Sequence, residues 1–194
     1  YTVMKVYLFD MILDSMLVFH KGAGGENEQL INVLQIDFLQ QKGLADKALQ
    51  LTQRAIEEAK ASELFHVENI LARKYYAMNV FRWTVKERHE KDLAHFKYLK
   101  LIRDKQSQLD RLKELSSYIS HYNNLQSFHA DCNTIFPKHF DTSELFNDEP
   151  LLSIMAEREK LACLCLYFRQ IHDFGPAYNA AKKYYELEKG LIKN

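Results

Sequence analysis

The stretch that decides the fold runs from residue 45 to residue 59 and reads ADKALQLTQRAIEEA. It repeats small side chains in steps of three and four residues, at Ala45, Ala48, Thr52, Ala55 and Ala59. Because an α-helix has about 3.6 residues per turn, these side chains share one helix face. A stripe of small residues lets neighbouring helices approach closely, and alanine favours the helix itself. The stretch therefore predicts a helix packed between two others.

Helical spacing recurs along most of the chain. Apolar residues follow it in the next segment, at Leu64, Val67, Leu71, Tyr75 and Met78. The stretches 109–122 and 177–191 repeat it, and no run alternates as a β-strand would. The helix breakers are scarce, with only 6 Gly and 3 Pro in 194 residues. The sequence therefore predicts an all-α protein.

Glycine, proline and capping residues set the predicted helix boundaries. Gly43 separates two helices, because glycine tolerates the left-handed turn that closes a helix. Ser62 is predicted to cap a helix that runs to about Lys86. The charged residues 87–91 are predicted to turn the chain there.

The second half of the chain contains the longest irregular stretch, residues 133–150, where we expect a loop with one short helix. Asp148 and Pro150 are predicted to open a helix that reaches about Asp173. Gly175 and the proline after it start the last helix.

These boundaries predict a single helical-repeat domain over residues 1–194. Its parts are an N-terminal helix with a Gly-rich turn (1–25), a first repeat (27–61), a second repeat (63–105), a helix with an irregular loop (106–149) and a third repeat (150–191). The apolar opening is interrupted by Lys5, Asp10 and Asp14. Since charges at mid-membrane are costly, we predict a buried amphipathic helix there and no membrane span.

Charge and cysteine content restrict the partners and the compartment. Lys plus Arg and Asp plus Glu each total 26, giving no net charge, whereas nucleic-acid and acidic-membrane binders carry a clustered basic excess. Three cysteines argue against a disulfide framework and favour a reducing compartment, so we predict a cytoplasmic protein. Because the chain starts at Tyr1 and not at Met, we expect a fragment of a longer protein.

Three segments look alike when the chain is folded into helix pairs. Residues 39–55 and 168–184 both place a small residue nine positions after a large one, Ala48 after Leu39 and Ala177 after Phe168. A weaker third copy starts at Trp83 and has Asp92 at the small position.

This pattern resembles the tetratricopeptide repeat family, whose helix–turn–helix unit has a large residue late in the first helix and small residues in the second. The large position is matched by Leu39, Trp83 and Phe168. The chain departs from the family where glycine or alanine is expected, at Ile36, Val80 and Cys165. Residues 93–107 resemble the repeats that precede signalling modules in bacterial sensor and regulator proteins.

The resemblance implies an array of antiparallel helix pairs, a right-handed superhelix with a groove lined by the first helix of each pair. It implies a non-catalytic function, in which the groove binds a peptide, a helix or a neighbouring domain. In this register the candidate groove residues are Leu30, Val33, Asp37, Gln40, Lys74, Ala77, Phe81, Thr84, Glu159, Ala162, Leu166 and Arg169. Members that clamp a carboxylate use Lys and Asn, and because Val33 and Asp37 stand in the first pair here, we predict no such clamp.

Two alternatives remain open. The chain could be the ligand-sensing or self-association region of a larger regulator, which would form a homodimer or bind a small molecule. It could also be a helical metal-dependent enzyme that draws on His121, His129, Asp131 and His139. The histidines, with Cys132, match no common zinc spacing, so a surface loop without metal is the favoured interpretation. We predict no cofactor, no metal and no nucleic-acid partner.

Overall fold

A computed structural model describes residues 26–126 and 143–191, without the side chains of 122–126 and 144. The described residues are mostly helical and contain no strand, which confirms the predicted all-α class. The helices are α1 (Glu26–Gln41), α2 (Ala45–Ala61), α3 (Phe65–Asn79), α4 (Val85–Gln126), α5 (Ser143–Phe146), α6 (Ile154–Gln170) and α7 (Phe174–Leu191).

The chain divides into two compact units, Tyr1–Arg103 and Asp104–Asn194. Helix α4 is 42 residues long and contributes to both of them. The predicted boundary between residues 105 and 106 therefore falls inside a continuous helix, because no glycine or proline interrupts it. The predicted N-terminal helix and Gly-rich turn, residues 1–25, lie outside the described part. The prediction of one domain over the whole chain stays a prediction.

In the first unit, α2 packs against both α1 and α3. Gln29 near the start of α1 donates a hydrogen bond to Glu58 near the end of α2, with Nε2 and Oε2 2.8 Å apart, so these helices are antiparallel. His66 at the start of α3 lies 2.8 Å from a carboxylate oxygen of Glu26 at the start of α1. Helices α1 and α3 therefore run parallel.

The small residues of α2 form the centre of this packing. Ala48, Thr52, Ala55 and Ala59 are all 0% exposed, as their spacing predicts, whereas Ala45 at the helix end is exposed. The Thr52 hydroxyl donates to the carbonyl oxygen of Ala48 at 2.7 Å, so its burial leaves no unpaired hydroxyl. Around this stripe the apolar core is completed by Ile36, Val67 and Leu71, with Val33, Leu51, Ile56, Leu64 and Met78 packed against it.

Helices α1, α2 and α6 end in the same backbone turn. The N–H groups of Leu44, Leu64 and Asp173 each donate to the carbonyl five residues earlier at 2.9 Å. The residue before each of them has a positive φ: Gly43 72°, Glu63 51° and His172 58°. These features define the Schellman motif, in which backbone N–H groups just after a helix donate to carbonyls that the helix end would leave without a partner. Gly43 thus ends a helix as predicted, but Ser62 was wrongly predicted to start one, since it follows the last residue of α2.

Gly43 and His172 occupy the same position of this turn, so exchanges at the two residues are expected to change the free energy of unfolding in opposite directions. Gly43→Ala is expected to lower the free energy of unfolding by about 1 kcal/mol, because a side chain at this left-handed φ is strained. His172→Gly is expected to raise it by a few tenths of a kcal/mol or more, because it removes that strain. Urea denaturation of the two variants and the parent measures both changes. A loss of stability on both exchanges would contradict this explanation.

The boundary between α3 and α4 differs from the prediction. Helix α3 ends at Asn79 and not near Lys86, and the charged residues 87–91, predicted to turn the chain, lie inside α4. The chain turns at residues 80–84 instead. A charged segment without glycine or proline propagates a helix well, so it could not end one. Consequently Trp83 is in the turn and not late in a helix, and the third repeat copy has a different local structure from the other two.

In the second unit, α6 and α7 are antiparallel. Arg158 near the start of α6 donates from Nε to the hydroxyl of Tyr184, in the second half of α7, at 3.3 Å. The last helix was predicted to start at Gly175, and it begins one residue earlier, at Phe174. A small core joins α4, α5 and α6, formed by Leu115, Ile119, Leu145 and Cys163.

Helix α6 starts later than predicted, at Ile154 and not at Asp148. The segment before it is held in place by the buried Gln108, whose amide accepts from the backbone N–H of Leu152 at 2.8 Å and donates to the Pro150 carbonyl at 3.2 Å. Ser153 then caps the helix by accepting from the N–H of Ala156 at 3.1 Å. Most of the predicted irregular stretch lies outside the described residues.

Candidate ligand-binding site

The turn between α3 and α4 is fixed by a capping box. The hydroxyl and backbone N–H of Thr84 lie 2.7 and 3.0 Å from Oε2 of Glu87, and the N–H of Glu87 reaches back to the Thr84 hydroxyl at 3.4 Å. These hydrogen bonds from Thr84, reinforced by the charge of Lys91, lower the pKa of the Glu87 carboxyl. The box starts α4 at Val85 and thereby fixes the position of Trp83, just outside the helix.

Trp83 lines an open cavity of about 470 Å³ in the first unit, which we call the aromatic cavity. Its walls come from α2, from the end of α3, from the turn and from the first half of α4. Five rings line it: Tyr75, Tyr76, Trp83, His95 and Tyr98. The remaining lining residues are Gln53, Ile56, Glu57, Lys60, Lys91 and Ala94. Its volume falls within the usual range of ligand pockets, roughly 300–1,000 Å³.

The rings hold one another in place. Tyr76 stacks on His95 with ring centroids 4.2 Å apart and planes 15° apart, and it meets Trp83 edge to face at 5.6 Å. The ammonium of Lys91 lies 4.8 Å from the centre of the Trp83 ring, within the distance of a cation–π interaction. Because Tyr76, Trp83 and His95 are each restrained by a neighbour, this part of the cavity wall is formed before any ligand arrives.

Two tyrosine hydroxyls are anchored to carboxylates. Tyr76 donates to Oδ1 of Asp92 at 2.6 Å, and Tyr98 donates to Oε1 of Glu68, a residue only 3% exposed. The bond to Asp92 raises the pKa of Tyr76, while burial and then Glu68 raise the pKa of Tyr98. Both phenols therefore stay protonated at neutral pH, and their rings cannot rotate freely.

The environment of His95 favours its neutral form, because it lowers the pKa of the imidazole. Its removal from water lowers its pKa below the ordinary 6.5, and the positive charge of Arg73 lowers it further, against the opposing effect of Asp92. The neutral imidazole leaves the charge around the cavity to its lysine and glutamate side chains.

The six predicted groove residues lie outside the aromatic cavity. Asp37 and Lys74 form an ion pair between α1 and α3. Gln40 is exposed near the end of α1, Phe81 is 89% exposed in the turn, and Thr84 caps α4. Arg169 is exposed on α6 in the second unit. None of these six residues lines the aromatic cavity.

Sequence reasoning missed the aromatic cavity although part of its signal was present. Lys91, Ala94, His95 and Tyr98 follow one another at steps of three, one and three, which places them along one face of a helix. Because a turn was predicted at residues 87–91, Lys91 was not assigned to the same helix as Ala94, His95 and Tyr98, and their common face was missed. Tyr75, predicted to share an apolar helix face with Leu71 and Met78, is only partly buried, as are Tyr76 and Tyr98.

The groups considered for metal binding or nucleophilic chemistry do not form a site in the described part. No set of three or more His, Cys, Asp or Glu side chains converges there on a metal position. His121 is exposed, and His129, Asp131, Cys132 and His139 lie outside the described residues. Cys163 is fully buried, donates weakly to the carbonyl of Leu112 at 3.5 Å, and has its pKa raised to about 12 by burial.

Comparison with known proteins adds no relative. No family model matches the sequence, no curated protein matches it, and no solved structure matches the fold. Across residues 26–126 and 143–191, no helix combines the length and the apolar character needed to cross a bilayer.

Proposed function

We propose that this chain is a non-catalytic protein-interaction module and that the aromatic cavity binds a peptide segment of its partner. The observation that carries the proposal is a cavity of about 470 Å³ walled by five rings, of which two are anchored by carboxylates. A cavity of this kind takes one or two large apolar side chains, and aromatic residues dominate the energetics of such contacts. Because its walls are already ordered, little conformational entropy is lost on binding.

The open shape of the cavity favours a peptide over a small molecule. Its residues continue onto the exposed surfaces of α2 and α4, where Gln53 and Lys60 on one helix and Lys91 on the other are accessible. A bound side chain would leave its flanking backbone on these surfaces. Transient peptide sites usually bury one anchoring side chain in a pocket and contact the rest of the peptide with a polar rim.

We also propose the tetratricopeptide-like helix array that the sequence resemblance implies. Two findings support it. The aligned segments 39–55 and 168–184 contain the same Schellman turn, and Ala48 and Ala177 are both buried. In addition, α2 packs on the parallel pair α1 and α3, as the second helix of a repeat packs on two successive first helices. The cytoplasmic location and the homodimer stay predictions.

The test replaces Trp83, the sole tryptophan of the sequence, with alanine. Peptides selected on the full chain from a random display library are measured by calorimetry against the parent and Trp83→Ala. We expect a loss of affinity of about thirtyfold, which corresponds to a hot-spot residue of about 2 kcal/mol.

Phe81→Ala is the matched control, because Phe81 lies two residues away, is 89% exposed and does not line the cavity. It is expected to leave the affinity unchanged. Equal binding to the parent and to Trp83→Ala would overturn the proposed site, and loss of binding in Phe81→Ala alone would assign the peptide to the groove predicted from the sequence. A dimer that dissociates on Trp83→Ala in analytical ultracentrifugation would assign the cavity to self-association.

A further inference from the structure

The charges that line the aromatic cavity are unbalanced. Lys60 comes from α2 and Lys91 from α4, and neither forms an ion pair with any described residue. Glu57 is the single carboxylate among the lining residues of this cavity. With two lysines against one glutamate, the lining residues carry an excess of positive charge, although the whole chain carries no net charge.

The carboxylates next to these lysines already accept hydrogen bonds from other side chains. Asp92 and Glu68 accept hydrogen bonds from Tyr76 and Tyr98, respectively, and neither lines the cavity. Glu87 accepts from Thr84 in the capping box and is stabilised by the charge of Lys91, but the two form no ion pair. Neither lysine has a carboxylate within ion-pair distance in the described part of the chain, so both ammonium groups can pair with carboxylates of a ligand.

A cationic ligand fits this cavity poorly. Aromatic cages bind ammonium ions through ring faces, and a tryptophan face is the strongest site for such binding. Here the face of Trp83 already lies under the ammonium of Lys91, and Lys60 adds a second positive charge. Like charges around a partly desolvated site repel, so the cavity selects against lysine, arginine and methylated amines.

We infer that the ligand is an acidic peptide in which an aromatic side chain fills the aromatic cavity and flanking carboxylates pair with Lys60 and Lys91. This inference rests on the proposed function, because it specifies the chemistry of the peptide. Aromatic contact supplies the affinity, and the two lysines supply the selection by charge.

The test uses acetylated, amidated pentapeptides with a central phenylalanine flanked on each side by two aspartates, two asparagines or two lysines. A fourth peptide keeps the aspartates and has alanine at its centre. Binding is measured on the full chain by calorimetry and by the emission of Trp83. We expect the aspartate peptide to bind about tenfold more tightly than the asparagine peptide, the lysine and alanine-centred peptides to bind more weakly still, and added salt to reduce the preference.

Charge reversal provides the decisive variant. Lys60→Glu with Lys91→Glu is expected to bind the lysine peptide more tightly than the aspartate peptide. The control, Lys47→Glu with Lys97→Glu, makes the same charge change at exposed lysines of α2 and α4 outside the cavity and is expected to keep the parent preference. Far-UV circular dichroism checks helicity, and the milder Lys60→Gln with Lys91→Gln is expected to abolish the preference without reversing it.

The outcomes separate the two proposals. Equal affinity for the aspartate and asparagine peptides, with both lost in Trp83→Ala, would overturn the acidic ligand and leave the peptide site standing. Tightest binding of the lysine peptide to the parent would also overturn it. If no phenylalanine peptide of any charge binds in a manner that depends on Trp83, the proposed function itself fails.

Discussion

Replacing Leu71 with alanine is expected to lower the free energy of unfolding by about 2–5 kcal/mol. Leu71 is 0% exposed and belongs to the cluster that joins α1, α2 and α3. Its loss removes a buried side chain and leaves a cavity, because the alanines of α2 that surround it are too small to fill the space. Urea denaturation monitored by the fluorescence of Trp83 measures the change, since both residues belong to the first unit.

Ile70→Ala is the control for this prediction. Ile70 stands beside Leu71 in α3 but is 41% exposed, so the same truncation removes less buried surface. Alanine also favours the helix more than isoleucine does, which offsets part of that loss. We expect a change of no more than about 1 kcal/mol. Equal losses at the two positions would mean that this face of α3 is not the one packed on the core.

Replacing Tyr98 with phenylalanine is expected to cost about 1–3 kcal/mol. The exchange keeps the ring but removes the hydroxyl that donates to Glu68, whose side chain is buried at 3% exposure. The carboxylate then stays away from water without this donor, and an unsatisfied buried acceptor is more costly than the lost bond alone. Thermal and urea unfolding measure the loss.

A double-mutant cycle separates the hydrogen bond from other effects of the exchange. When Glu68→Leu is combined with Tyr98→Phe, the coupling between the two changes is expected to lie within about 0.5–3 kcal/mol. Tyr76→Phe serves as a comparison, because Asp92, its acceptor, is partly exposed and water can replace the hydroxyl. We expect less than about 1 kcal/mol there. Strict additivity of the Tyr98 and Glu68 changes would show that their contact does not stabilise the fold.

Much of the first unit could be predicted from the sequence because its signals are local. The spacing of Ala48, Thr52, Ala55 and Ala59 identifies the buried face of α2, and Gly43 identifies the turn before it. Both depend only on residues within one or two helical turns of each other.

The turn at residues 80–84 was misplaced for an equally local reason. Thr84 and Glu87 have the three-residue spacing of a capping box, which predicts a helix start. This signal is weaker than a glycine or proline, so the boundary was placed instead at the charged residues that follow. Because of this wrong boundary, Phe81 and Thr84 were predicted to lie within a helix, whereas they lie in the turn.

The aromatic cavity could not be predicted from local pattern alone. Tyr75 and Trp83 line the cavity together with residues of α2 that lie more than twenty positions earlier in the sequence, such as Gln53. Their common position around the cavity depends on how α2, α3 and α4 pack. Helical spacing shows which side chains share a face, but it does not show that a face is left incompletely covered.

The Schellman turns also determine where the chain tolerates extra length. The links at residues 42–44, 62–64 and 171–173 are only three residues long, and their backbone hydrogen bonds span a fixed number of residues. An inserted amino acid would shift the rotational phase of the following helix by about 100° and carry its apolar side toward water. Epitope tags, fluorophore sites and permuted termini are therefore better placed outside these three junctions.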